Sequence, residues 1–114
     1  MRKGWDMRIL VANEPRSYRE VIASTLQVLR PHLEVILVEP EDLDRDVVRL
    51  APNLVLCSRL TETVETHALA WVVLYPNRET RAVISIAGQC HTVSTDLPFP
   101  GLLSVIDEVE RRLS

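Results

Sequence analysis

The sequence predicts a single three-layer α/β/α domain whose central sheet is parallel and five-stranded. Short apolar runs recur at residues 7–12 (MRILVA), 33–38 (LEVILV), 54–57 (LVLC) and 70–75 (AWVVLY). Segments of helical periodicity separate them, and Pro-containing turns close most of the runs. Strands and helices alternating at this spacing argue for a parallel sheet covered on both faces. Late in the chain the alternation breaks, and a β-hairpin is expected where the fourth helix should stand.

The elements follow in order. Residues 1–6 read as an N-terminal extension, ordered only if Trp5 packs, and the domain proper as 7–114. After the first strand, Asn13 is a candidate helix cap and Pro15 suits the first helical turn. Tyr18, Val21, Ile22, Leu26 and Leu29 form one apolar helical face, and Pro31 stops the helix. The second strand closes at Glu39-Pro40. Residues 41–50 predict a second helix with Leu43, Val47 and Leu50 inward and acids early, where the helix dipole favours them. Pro52-Asn53 leads into the third strand, and residues 58–69 hold one or two helical turns before the fourth. Residues 81–95 are β-branched with Gly88-Gln89 near the middle, which predicts an antiparallel hairpin. Its second arm is expected to form the fifth strand or to lie just beyond it. Residues 101–113 then form an amphipathic helix carrying Leu102, Leu103, Ile106, Val109 and Leu113.

Composition narrows the function classes. The chain has 114 residues, 46% of them hydrophobic, enough to bury one core without disulfide or metal staples. Thirteen basic against sixteen acidic residues leave a net charge of −3, which argues against nucleic acid or an anionic membrane as partner. No apolar run approaches the length of a membrane span and no signal peptide is read, so a cytoplasmic location is expected. Two cysteines, Cys57 and Cys90, are too few and too far apart for a secreted disulfide framework.

Three stretches resemble the receiver domain of response regulators. MRILVANEPRSYREVIASTL resembles the receiver's opening, whose first strand ends in a pattern like Val-Asp-Asp-Glu-Pro. APNLVLCS is similar to the Pro-Asp-Leu-Val-Leu-Leu-Asp that ends at the phosphorylated aspartate. LPFPGLLSVIDEV is similar to the Lys-Pro-Phe motif and final helix. The resemblance implies a flavodoxin-like sheet, and it also locates the lost chemistry. The paired acids fall on Ala12 and Asn13, the acceptor aspartate on Ser58, the hydroxyl sensor on Tyr75 and the lysine on Leu97. A shift of one residue in the first strand would make the pair Asn13 and Glu14 and change nothing further. Receivers hold Mg²⁺ beside the acceptor with several oxygen ligands, and this set is a poor magnesium site. A degenerate pseudo-receiver without aspartyl phosphotransfer is expected.

Other chemistries fare no better. Cys57, Cys90, His32, His67 and His91 include no local pair of zinc-site spacing, so no metal or other cofactor is expected. Ser58 with His67 and Glu62 or Glu65 invites a hydrolase reading. No nucleophile elbow surrounds Ser58, and three glycines in the whole chain leave no phosphate-cradling loop. The chain is therefore not expected to be an enzyme.

Two readings remain. One is a signalling module acting by protein–protein contact, with output supplied by an unnamed protein partner. It would form a homodimer through an exposed edge carrying Val83, Ile84, Ile86 and Val93. The alternative is a small-molecule sensor that binds at the carboxyl ends of the strands, where open α/β sheets take ligands. Its rim would include Glu14, Arg59 and Asn77, with Arg59 and Asn77 placed to hold a small anion.

Overall fold

The computed structural model describes residues 7–74, 82–93 and 99–113. In chain order the elements are β1 (Arg8–Ala12), α1 (Arg16–Leu29), β2 (Glu34–Leu37), α2 (Leu43–Leu50), β3 (Leu54–Cys57) and α3 (Glu62–His67). They continue as β4 (Ala70–Leu74), β5 (Ala82–Ile86), β6 (Gln89–Val93) and α4 (Phe99–Leu113). The expected extension at 1–6, Tyr75, Asn77, Leu97 and the side chain of Val93 lie outside the described residues.

The described strands and helices build three layers around one sheet of order β2-β1-β3-β4-β5-β6. Period-two alternation sorts the strand residues to its two faces. Ile9, Val11, Leu54, Leu56, Val72, Leu74 and Ile84 join Ile22 and Leu26 of α1 and Leu102, Ile106 and Val109 of α4 in one core. Leu10, Ala12, Val55, Cys57, Trp71 and Val73 join Leu43 and Val47 of α2 and Val64 of α3 in the other. Strands β1, β3 and β4 thus bury both faces, which is why they read as continuous apolar runs. Each large side chain so buried contributes roughly 1.5–3 kcal/mol. At the edge, β2 is only half-buried, and Leu37 is exposed.

The sheet differs from the expected one: it is mixed and six-stranded, not parallel and five-stranded. β1 pairs in parallel with β2 and β3, and β3 with β4. β5 then runs antiparallel to β4, and β6 antiparallel to β5. A two-residue turn, Ala87-Gly88, joins the hairpin arms, one position earlier than the expected Gly88-Gln89. Both turn residues have positive φ, 52° and 86°, the backbone that lets a tight hairpin follow the strand twist. Antiparallel pairing needs no crossover, so the first arm lies directly beside β4 and the second lies beyond it.

That order also corrects the expected edge. β5 sits between two strands, so Val83, Ile84 and Ile86 are not at an open edge. Ile84 is 8% exposed and belongs to the core beneath α4. Val83 is partly buried against the opposite core, and Ile86 against the α4 side. Local sequence reveals an apolar strand but not its neighbours, and here β6 supplies the edge.

Helix ends follow local chemistry, with one departure. Thr61 caps α3 by accepting from the Val64 N–H at 3.2 Å. Ala51 ends α2 in the left-handed region, just ahead of Pro52. Asn13 does not cap α1: Pro15 holds the N-cap position, with no side-chain cap bond. At the other end of α1, Arg30 grips Asp107 of α4 through two bonds, Nε to Oδ1 at 3.1 Å and Nη2 to Oδ2 at 3.0 Å. His32 Nε2 lies 2.8 Å from Glu110 Oε2 alongside. The hydrogen bond and charge of Asp107 raise the Arg30 pKa. Among the described residues, no helix is long and apolar enough to cross a membrane.

Candidate functional site

The candidate rim forms where β1 and β3 end side by side. Ala12 is in register with Cys57, which sets Asn13 and Ser58 at the next positions. The Glu14 backbone N–H donates to Ser58 Oγ at 2.9 Å, tying the two strand ends together. Glu14 Oε2 stands 4.0 Å from Arg59 Nη2. Arg59 is 80% exposed, so this pair adds little to stability. Beside it opens a cavity of about 200 Å³, lined by Ala12, Glu14, Leu43, Ser58, Arg59 and Thr61 among others. Ala12 and Leu43 both belong to the α2/α3 core, so the cavity lies on that side of the sheet. Thr61 Oγ1 is occupied, donating to Asp44 Oδ1 at 2.6 Å.

The structure thus brings Ala12, Glu14, Ser58 and Arg59 together. Asn13 is near them in sequence but differs in environment. It is fully buried, and among the described residues neither its Oδ1 nor its Nδ2 has a hydrogen-bond partner. Its backbone carbonyl is satisfied, accepting from Arg19 Nη1 at 3.2 Å. Tyr75, Asn77 and Leu97, the remaining expected positions, lie outside the described residues.

Sequence reasoning missed Arg19. Its side chain is 6% exposed, and Nη2 reaches Glu39 Oε1 at 2.9 Å. One guanidinium therefore ties α1 to the end of β1 and to the residue beyond Val38. The available signal was its spacing: Arg19, Ile22 and Leu26 share the inward stripe of α1. A cation on such a stripe needs a carboxylate partner, and Glu39 at the end of the next apolar run was the nearest choice.

The chemistry this arrangement can perform is limited. Among the described residues, no group of three or more His, Cys, Asp or Glu could hold a metal ion. Ser58 Oγ is engaged by a backbone amide, and the suggested base is turned to another task. His67 Nδ1 lies 3.1 Å from the Thr63 carbonyl, one turn back on α3, and both Glu62 and Glu65 are exposed. Among the described residues, Glu14 is the only carboxylate lining the cavity.

Cys57, at the end of β3, is 1% exposed, and burial pushes its thiol up to about 12 while the Arg59 backbone hydrogen bond pulls the other way. Cys90 is exposed on β6. The thiolate is the reactive form. One thiol per native chain is therefore expected to react with a chromogenic disulfide at neutral pH, and two in denaturant. Rapid loss of both thiols in the native state would contradict the burial of Cys57. The same shift sets a pH dependence. The folded-state value is raised, so its stabilising contribution is complete below the ordinary value of 9.0 and declines as pH rises toward about 12. Alkaline denaturation of Cys57→Ala should show a shallower loss across that window.

No family model matches the chain, and no curated protein or solved structure matches it significantly.

Proposed function

We propose that this chain is a receiver-like regulatory module that takes no phosphate and acts in the cytoplasm by protein–protein contact, without catalysis. The observation that carries the reading is the pair of strand ends at Asn13 and Ser58. Where a receiver would need acids and an acceptor, these strands present Ala12, Asn13 and a serine held by the Glu14 amide. A hard divalent cation there would find one carboxylate, Glu14, already beside Arg59. The parallel β2-β1-β3-β4 order, with α1 and α4 on one face and α2 and α3 on the other, supports the same reading. With the phosphate chemistry gone, contact with another chain is the remaining way to pass a signal. The β5–β6 hairpin ends the sheet in an outer strand suited to it.

The test is direct. Acetyl phosphate or beryllofluoride with Mg²⁺ is expected to leave the amide spectrum unchanged and to add no phosphoryl group by mass. Saturable shifts around Asn13 and Ser58 would overturn the proposal.

A second reading, a small-molecule sensor, is favoured by the cavity beside Ser58. Its rim offers a carboxylate, a guanidinium and a hydroxyl within a volume of about 200 Å³. A ligand seated there raises the melting temperature as the logarithm of its excess over Kd. Arg59→Ala should abolish that rise.

A further inference from the structure

We infer that β6 is a self-pairing edge, and that two copies of this chain join there antiparallel across a two-fold axis. The inference rests on the interaction reading above and names its partner as a second copy. In a hairpin with a two-residue turn, the closing pair exchanges backbone hydrogen bonds and the pairs then alternate. The closing pair is Ile86 with Gln89, followed by Ser85 with Cys90 and Ile84 with His91. Gln89, His91 and Val93 therefore turn their backbone groups inward to β5. Cys90 and Thr92 turn theirs outward. Among the described residues, no strand pairs with that outer side.

Two outward residues of a short strand are geometrically self-complementary. An axis passing beside His91 sets Cys90 opposite Thr92 of the second copy, and Thr92 opposite its Cys90. Each pair exchanges two backbone bonds, and two sheets become one. Charge permits this at β6. A two-fold axis brings like side chains near each other, and QCHTV contains no Asp, Glu, Lys or Arg. The other edge is less suitable. Strand β2 carries Glu34, ion-paired with Arg8, and a charged side chain on an edge strand disfavours pairing with another chain. Pairing of β6 with β2 would be head-to-tail and would build a ring or an open fibre, whereas β6 with β6 closes after two chains.

Light scattering under reducing conditions tests the inference. The weight-average mass should rise with concentration from 13.0 kDa toward twice that value. Thr92→Pro removes one outward N–H and keeps every inward bond, as edge strands tolerate. Cys90→Lys places a charge at an exposed edge position. Each is expected to raise the dimer Kd by about tenfold or more. In the wild type, the Cys90 and Thr92 amides should gain hydrogen-exchange protection with concentration, while Gln89, His91 and Val93 stay protected throughout. Should Thr92→Pro unfold the hairpin, Cys90→Lys decides alone. A monomer at all concentrations, or a dimer indifferent to Cys90→Lys, overturns the inference. A monomer that also takes up no phosphoryl group removes self-pairing and leaves the interaction reading standing, whereas phosphoryl uptake defeats that reading whatever the mass.

Discussion

Ile84→Asp is expected to cost about 5 kcal/mol or more, which would leave little of the stability of a typical domain. The side chain is 8% exposed in the core shared by α1 and α4, so its loss removes a fully packed aliphatic group. The replacement carboxyl must then be buried, either ionised without a partner or held neutral. Urea denaturation should show a midpoint far below that of the wild type. Val83→Asp makes a matched control, because Val83 is the next residue on β5 and is only partly buried on the opposite face. Its loss should be less than half as large. Equal losses, or a stable Ile84→Asp variant, would mean that Ile84 is not part of the core beneath α4.

Asn13→Leu is expected to act in the opposite direction, stabilising the fold by about 2 kcal/mol. A buried donor or acceptor without a partner costs about 1–3 kcal/mol, and the Asn13 side chain has both kinds unpaired. Leucine keeps a similar branching and has no polar atom to desolvate. The backbone bond from Arg19 to the Asn13 carbonyl does not depend on the side chain, so the tie between α1 and β1 survives. Thermal unfolding should rise by roughly 5–10 °C for a chain of this size. A fall would show that the amide is satisfied in solution by an ordered water or a ligand, and would make Asn13 a binding group.

The regular part of the fold was legible because its signals are local. Apolar runs bounded by prolines marked β1, β3 and β4, and the spacing of Ile22 and Leu26 marked α1. The hairpin was legible as well, from β-branched residues around Gly88. Its place in the sheet was not, because pairing partners are a non-local property. Val83 and Ile84 look alike in sequence, yet one faces α4 and the other the α2 side. The rim was half legible: Glu14, Ser58 and Arg59 meet as strand-end logic required. Asn13 was misread as a helix cap, since a cap and a buried amide share the same residue type and position. Arg19 was passed over because one cation on an apolar stripe is a weak signal until its carboxylate partner is located.

The bridge from Arg30 to Asp107 spans 77 residues of sequence. Helices α1 and α4 lie in one layer, yet almost the whole domain separates them along the chain. The α1 layer consequently stays uncovered, with Ile22 and Leu26 of α1 facing no α4, until residues 99–113 arrive. Closing so long a loop costs entropy before any contact rewards it, which slows folding relative to a helix bundle of equal length. Strands β1 and β3 with the helices between them form from shorter-range contacts and offer the template. The Arg30–Asp107 ion pair and the His32–Glu110 hydrogen bond then act as a latch that tells α4 in which register to settle. Their value lies in selecting one arrangement of an otherwise greasy helix face, more than in the modest energy each one adds.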